Sequence, residues 1–254
     1  MGVTRYPLLV FVLSFFGQAL SARIGVVLSQ RRRVEEAGVR EDFGIILGAT
    51  LTLLALIIGF TFSMALTRYD QRKNYEEAEA NAIGTEYVRA GLLPAADAAK
   101  VRALLLDYLD QRLLFYGTRN DHQLSQIDAR TAKLQAELWS AVQAPAVAQP
   151  TPVAALAVAG MNDVLNSQGY TLAAWWNRIP VAAWALMATI AICCNAMVGF
   201  GARDARAEYR LLLILPLVIS IAFFLIADID SPRGGLIRVS PQNLLSLSQS
   251  LRAQ

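Results

Sequence analysis

Charged positions along this chain are segregated. Every Lys, Arg, Asp and Glu lies outside four segments, 8–22, 45–67, 179–200 and 211–227, each a nearly unbroken apolar run. An amphipathic helix on a soluble core would instead show a polar face every turn. Crossing a hydrocarbon layer takes about 20 apolar residues of helix, so 45–67 and 179–200 read as membrane spans. Trp175, Trp176 and Trp184 suit the interfacial end of the latter. Segment 211–227 contains Pro216, which a span tolerates when neighbouring groups satisfy the freed carbonyl. Segment 8–22 is short, but the apolar pattern resumes at Ile24–Leu28, and a snorkelling Arg23 lets one retained helix reach Leu28. The rival reading is a signal peptide over residues 1–21, with Arg5 as charged start, Leu8–Phe16 as apolar core and Ala19-Leu20-Ser21 as cleavage site.

The stretch between the second and third spans, 68–178, carries 11 basic and 12 acidic residues and has helical periodicity. Val101, Leu105, Leu109, Leu113 and Tyr116 recur at three-to-four spacing and mark one apolar face. Gly91-Leu92-Leu93-Pro94 ends the preceding helix and Gly117 ends this one. A further helix is predicted from Asp121 to Val142, then a loop marked by Pro145, Pro150 and Pro152, then a short last helix. No strand alternation or internal repeat is visible. The expected fold class is an all-α integral membrane protein with four transmembrane helices per subunit. The first helix pair falls in 1–67, a helical extramembrane insert in 68–178, the second pair in 179–228 and a C-terminal tail in 229–254.

Composition supports a membrane protein: 55% of residues are hydrophobic, 17% charged, and the mean hydropathy is +0.40, whereas soluble domains average about a quarter charged. A net charge of +3 is too small to point to nucleic acid. The two cysteines, Cys193 and Cys194, are adjacent, which suits neither a disulfide framework nor a zinc site. His122, the single histidine, sits in a turn-like Asn120-Asp121-His122 context with no patterned nucleophile. Glu76, Glu77 and Glu79 follow Arg72 and Lys73 at spacings that read as intrahelical ion pairs. No phosphate loop, metal spacing or cofactor motif is present. The expectation is no enzyme, no cofactor and no metal.

The second span carries the functional signal. At 100° per residue, Thr52, Leu56, Gly59, Phe60, Ser63 and Thr67 fall within an arc of about 100°. Hydroxyls at both ends and a bulky apolar middle suit a pore wall with a dewetting constriction. They also suit helix–helix packing, where small and hydroxylated residues gather. Gly44 and Gly48 give a Gly-xxx-Gly spacing that permits close helix approach. No span contains an ionisable side chain of the kind that active transporters place at membrane depth; a passive pore needs none. Arg68, Arg72 and Lys73 directly follow the span. They form either a basic pore mouth favouring anions or a snorkelling belt at the lipid headgroups.

The run Ile58-Gly59-Phe60-Thr61-Phe62-Ser63-Met64-Ala65-Leu66-Thr67-Arg68-Tyr69 resembles the second membrane helix of bestrophins, pentameric anion channels with four spans and a helical cytosolic insert. The resemblance implies that Leu56 and Phe60 stand at two hydrophobic neck positions, with Thr52 as a departure at the third. A bacterial bestrophin-like group is more similar still. Its signature looks like Asp228-Ile229-Asp230-Ser231-Pro232-Arg233-Gly234-Gly235-Leu236-Ile237-Arg238-Val239-Ser240-Pro241. Arg68-Tyr69-Asp70-Gln71-Arg72-Lys73 and Glu79-Ala80-Asn81-Ala82-Ile83-Gly84-Thr85 match it too. From the residues alone, Asp228 and Asp230 cap backbone donors or hold an ion, and Gly234-Gly235 permits a reversal. Bestrophins bind calcium at an acidic cluster near the membrane, but two aspartates are too few ligands for that.

The resemblance implies a homo-oligomer, a pentamer in bestrophins, passing small inorganic anions across a bilayer as a multi-pass protein of the bacterial inner membrane. The competing reading is a non-conducting scaffold or sensor whose insert binds a partner. Orientation stays open: Arg31, Arg32, Arg33, Arg40, Arg203, Arg206 and Arg210 on one side balance Arg5, Arg68, Arg72, Lys73, Arg178, Arg233 and Arg238 on the other.

Overall fold

A computed structural model describes residues 3–31, 37–202 and 209–253, with the side chains of 30, 31, 37–41 and 209 left out. Among the described residues there are nine α-helices and no strand. They are α1 (Pro7–Arg31), α2 (Ala37–Arg89), α3 (Ala95–Gly117), α4 (Asp121–Ala148), α5 (Pro152–Trp176), α6 (Val181–Gly201), α7 (Tyr209–Leu212), α8 (Ile214–Asp230) and α9 (Gln242–Arg252). Four stretches, within Pro7–Ser29, Asp42–Leu92, Pro152–Gly201 and Arg210–Asp230, are long and apolar enough to cross a membrane. The chain is an all-α integral membrane protein with a helical insert between the second and third spans.

Prolines differ in effect from the sequence expectation. Pro145 lies inside α4, which runs on to Ala148; in the last turn its missing N–H removes a single hydrogen bond. The loop shrinks to 149–151, and Pro152 opens α5, which is 25 residues long rather than short. At the first helical position Pro has no intrahelical N–H to lose. Pro216 stands in the first turn of α8. Its ring cannot share a helix with the carbonyl four residues earlier, so the backbone breaks at Leu213, between α7 and α8.

The chain divides into two compact units, Met1–Arg68 with Arg178–Arg238, and Tyr69–Asn177 with Val239–Gln254. In the first, α1 packs along α6 and α8. A Cβ added to Gly25 would run into the Ala196 carbonyl, and one added to Gly199 into that of Ala22. These two glycines permit the close helix approach. Gly44 and Gly48, expected to do so, have nothing within 4 Å. Polar side chains cross-link the same helices: Asn195 Nδ2 donates to Gln18 Oε1 at 2.9 Å, Gln18 Nε2 to Ser220 Oγ at 3.3 Å, and Ser21 Oγ to the Ile192 carbonyl at 2.7 Å. Lipid offers no hydrophobic drive for helix association, so close contact and such bonds hold the bundle.

In the second unit the α3 face read from the sequence is the core. Val101, Leu105 and Leu109 are fully buried, joined by Leu134 and Leu138 of α4 and Met161 and Val164 of α5. The glutamates bond across helices. Glu79, fully buried, takes the Arg112 guanidinium of α3, the Thr171 hydroxyl of α5 at 3.2 Å and the Tyr116 hydroxyl at 3.4 Å. Glu76 accepts from the Leu244 amide at 2.9 Å and the Asn243 side chain at 2.7 Å, satisfying donors in the first turn of α9. Burial, then the Glu79 charge, pushes the Tyr116 phenol up. Glu86 has neither oxygen hydrogen-bonded. Its carboxyl, ordinarily near 4.5, is pushed up to about 8 by burial, with Arg89 opposing and Asp163 adding to the rise.

Two outcomes follow for the insert. Arg112→Met strands the Glu79 charge and should cost about 3–5 kcal/mol in a thermal or denaturant melt; adding Glu79→Met should restore most of that loss. Folded Glu86 holds a proton that the unfolded chain releases above about pH 4.5. Its stabilising contribution is therefore complete below that pH and lost as pH rises through about 8. The melting temperature should fall between pH 5 and 9, and Glu86→Gln should flatten that slope.

Candidate functional site

Span two divides into two faces. Leu54, Thr61 and Ala65 are buried, at 2%, 3% and 0% exposure. Leu56 and Phe60 are exposed, at 54% and 66%, and Thr52, Gly59, Ser63 and Thr67 are exposed with them. On a helix of 100° per residue the buried set is centred about 180° from the exposed set. The stripe picked out by periodicity is thus the side that α2 does not pack within its own chain. The Thr52 hydroxyl donates to the Gly48 carbonyl at 2.9 Å and the Thr67 hydroxyl to that of Ser63 at 3.0 Å. With their protons committed to backbone, these hydroxyls present oxygen lone pairs outward.

The basic residues after the span do not form one exposed cluster. Arg68 is nearly buried and lies 3.5 Å from Asp230 Oδ1. Arg72 is buried, its Nε donating to the Ala174 carbonyl at 3.3 Å. Lys73 alone of the three is exposed, alongside the equally exposed Asp70. Arg72 thus does not share the exposure of Lys73. Its alternation with Lys73 already placed the two on different faces of α2.

The aspartates of the 228–241 motif are engaged with backbone. Asp228 accepts from the Leu236 amide at 2.7 Å and the Ile237 amide at 2.8 Å. Asp230 accepts from the Ile179 amide at 3.2 Å as well as facing Arg68. Gly235 is needed for closeness: a Cβ there would run into the Asp228 carbonyl. Pro232 is buried, Arg238 is exposed, and Pro241 directly precedes α9. Among the described residues no three metal-ligating side chains gather. Asn120, read as part of a turn, caps α4 by accepting from the His122 amide. Sequence reasoning missed the Asp230–Arg68–Ile179 junction, whose members are far apart along the chain. Arg32, Arg33, Arg203 and Arg206, used in the orientation count, lie outside the described residues, as do the side chains of Arg31 and Arg40.

The family model of the Bestrophin-like domain matches residues 10–244. Among solved structures, a single-substitution variant of a bacterial Bestrophin homolog from Klebsiella pneumoniae aligns with 14% identity and a TM-score of 0.64, over 96% of this chain and 98% of that one. Another variant aligns with 15% identity and a TM-score of 0.65 over 96% and 98%. The homolog phased on zinc gives 14% and 0.65 over 95% and 97%. At such identities the likeness is one of fold. No curated protein sequence matches the chain.

The motif loop provides its own test. Asp228→Asn keeps the shape but replaces one charged acceptor by a donor. It should lower stability by about 1–3 kcal/mol in detergent melts and speed proteolysis within 232–238.

Proposed function

We propose, from the premise that the chain belongs to the Bestrophin-like family, that it assembles into a homo-oligomeric ring and conducts ions passively, with α2 facing the axis. The observation that carries this reading is the bare stripe Thr52, Leu56, Gly59, Phe60, Ser63 and Thr67, lying opposite the buried face of the same helix. A ring of such helices covers the exposed apolar positions with neighbouring copies and turns the stripe to the axis. Leu56 and Phe60 then form an apolar neck, and Thr52 leaves it open at one level. The helix pairs in 1–67 and 179–228 make the membrane part, 68–178 the extramembrane insert and 229–254 the tail. On this reading the protein is a channel of the bacterial inner membrane rather than an enzyme, and five copies is the expected number.

Anion selectivity rests on the resemblance to bestrophins. A cation-conducting pore is the second reading, and two observations favour it. The threonine hydroxyls on the stripe commit their protons to backbone carbonyls. Beside the span, exposed Asp70 offsets exposed Lys73 while Arg72 is buried. A scaffold with span two wrapped inside its own bundle is disfavoured, since only 6% of the span's apolar window is buried within the chain.

Purified protein in planar bilayers tests both levels of the reading. Phe60→Ala or Leu56→Ala should raise unitary conductance severalfold, because a smaller apolar constriction is easier to wet. Unchanged conductance in both variants of an active channel removes the neck assignment. The sign of the reversal potential in a KCl gradient then separates anion from cation conduction.

A further inference from the structure

The 232–238 loop is held firmly within the membrane unit. Asp228 fixes the amides of Leu236 and Ile237, the Ser231 hydroxyl donates to the Arg5 carbonyl at 3.2 Å, and Gly234 sits against that same carbonyl. So fixed, the loop turns two large apolar side chains outward: Leu236 is 80% exposed and Ile237 41%. Arg233 and Arg238 flank the pair, and Arg238 is exposed. Holding bulky aliphatic groups out on a rigid loop is unfavourable in water and implies a partner for them.

The loop's height identifies that partner. It begins two residues after Asp230, where α8, a membrane span, ends. The Asp230 carboxylate also takes the amide of Ile179, where the third span starts. The loop therefore lies at the membrane boundary. Arg5, Arg68, Arg178, Arg233 and Arg238 border the spans on this side, while Asp228 and Asp230 are already engaged with backbone amides and Arg68. Aliphatic tips between guanidiniums match the boundary between acyl chains and phosphates, and guanidinium forks bind phosphate oxygens in pairs.

We propose that Pro232–Arg238 is a docking tab for anionic phospholipid, with Leu236 and Ile237 inserted among acyl chains and Arg233 and Arg238 on the headgroup phosphate and its added negative charge. Because the tab is already ordered, little conformational entropy is lost when lipid binds. The inference stands on the membrane boundary alone and is independent of whether the assembly conducts.

Native mass spectrometry of the full-length protein tests this after equilibration with equal amounts of phosphatidylglycerol and phosphatidylcholine. Wild type should retain phosphatidylglycerol in preference. The double variant R233Q/R238Q should weaken that preference by about thirtyfold, at the usual strength of two basic residues near an anionic surface. R233K/R238K, which keeps the charge but not the fork, should retain part of it, separating headgroup attraction from a folding defect. Equal retention of both lipids by wild type overturns the proposal, as does an unchanged preference in R233Q/R238Q. Loss of assembly mass in both double variants, with lipid preference intact, also overturns it and makes the tab a contact between copies.

Discussion

One carboxylate organises the boundary of the membrane unit. Asp230, at the end of α8, accepts from the Ile179 amide where the third span begins and faces Arg68 where the second span ends. Three segments distant in sequence meet on a group that is itself nearly buried. A buried carboxylate is tolerated only when its charge is matched and its oxygens bonded. Arg68, Arg178 and the Ile179 amide all serve that requirement. Two residues earlier, Asp228 repeats the device on the loop that follows.

This junction also bears on which side of α2 stays bare. In lipid, helices associate where small residues allow close contact or where polar side chains bridge. The bundle of α1, α6 and α8 uses both, through Gly25 and Gly199 and through Gln18, Asn195 and Ser220. Span two has its buried positions at Leu54, Thr61 and Ala65, in phase with Arg68. The Thr61 hydroxyl is satisfied by the Ile57 carbonyl of the same helix at 2.8 Å, so it contributes no bridge. Anchored at Arg68, the helix has little freedom to rotate, and the stripe carrying Leu56 and Phe60 remains outward.

The four spans were legible because exclusion of charge from lipid is written one residue at a time. Runs such as 45–67 and 179–200 need no tertiary information to recognise. The α3 core face was legible for a similar reason, as Val101, Leu105 and Leu109 repeat on one helix. Pairings between helices were hidden. Glu76, four residues after Arg72, also takes donors in the first turn of α9, and Arg72 also reaches the Ala174 carbonyl. Long-range donors compete with local partners, and spacing along one helix cannot reveal them. The Gly-xxx-Gly pattern has the same limit: glycine permits close approach but does not say which neighbour arrives. The stripe on α2 was legible as a stripe, while its exposure depended on what the other spans left uncovered.

On the proposed reading, the neck and the anchor place opposite demands on α2. An ion passing Leu56 and Phe60 meets no charge that could replace lost water, so permeation there depends on how wide and how wet the neck is. A small rotation of α2 about its axis would carry Phe60 away from the stripe's centre and bring Gly59 or Ser63 toward it, exchanging an apolar constriction for space and a hydroxyl. Rotation at the end of the span would pull Arg68 from Asp230, removing one of the cations that face this buried carboxylate. The junction therefore acts as a stop on the coordinate along which the neck would open. Any stimulus that widens the pore by turning α2 must either leave Asp230 to Arg178 and its backbone donor or confine the twist to the residues before Arg68.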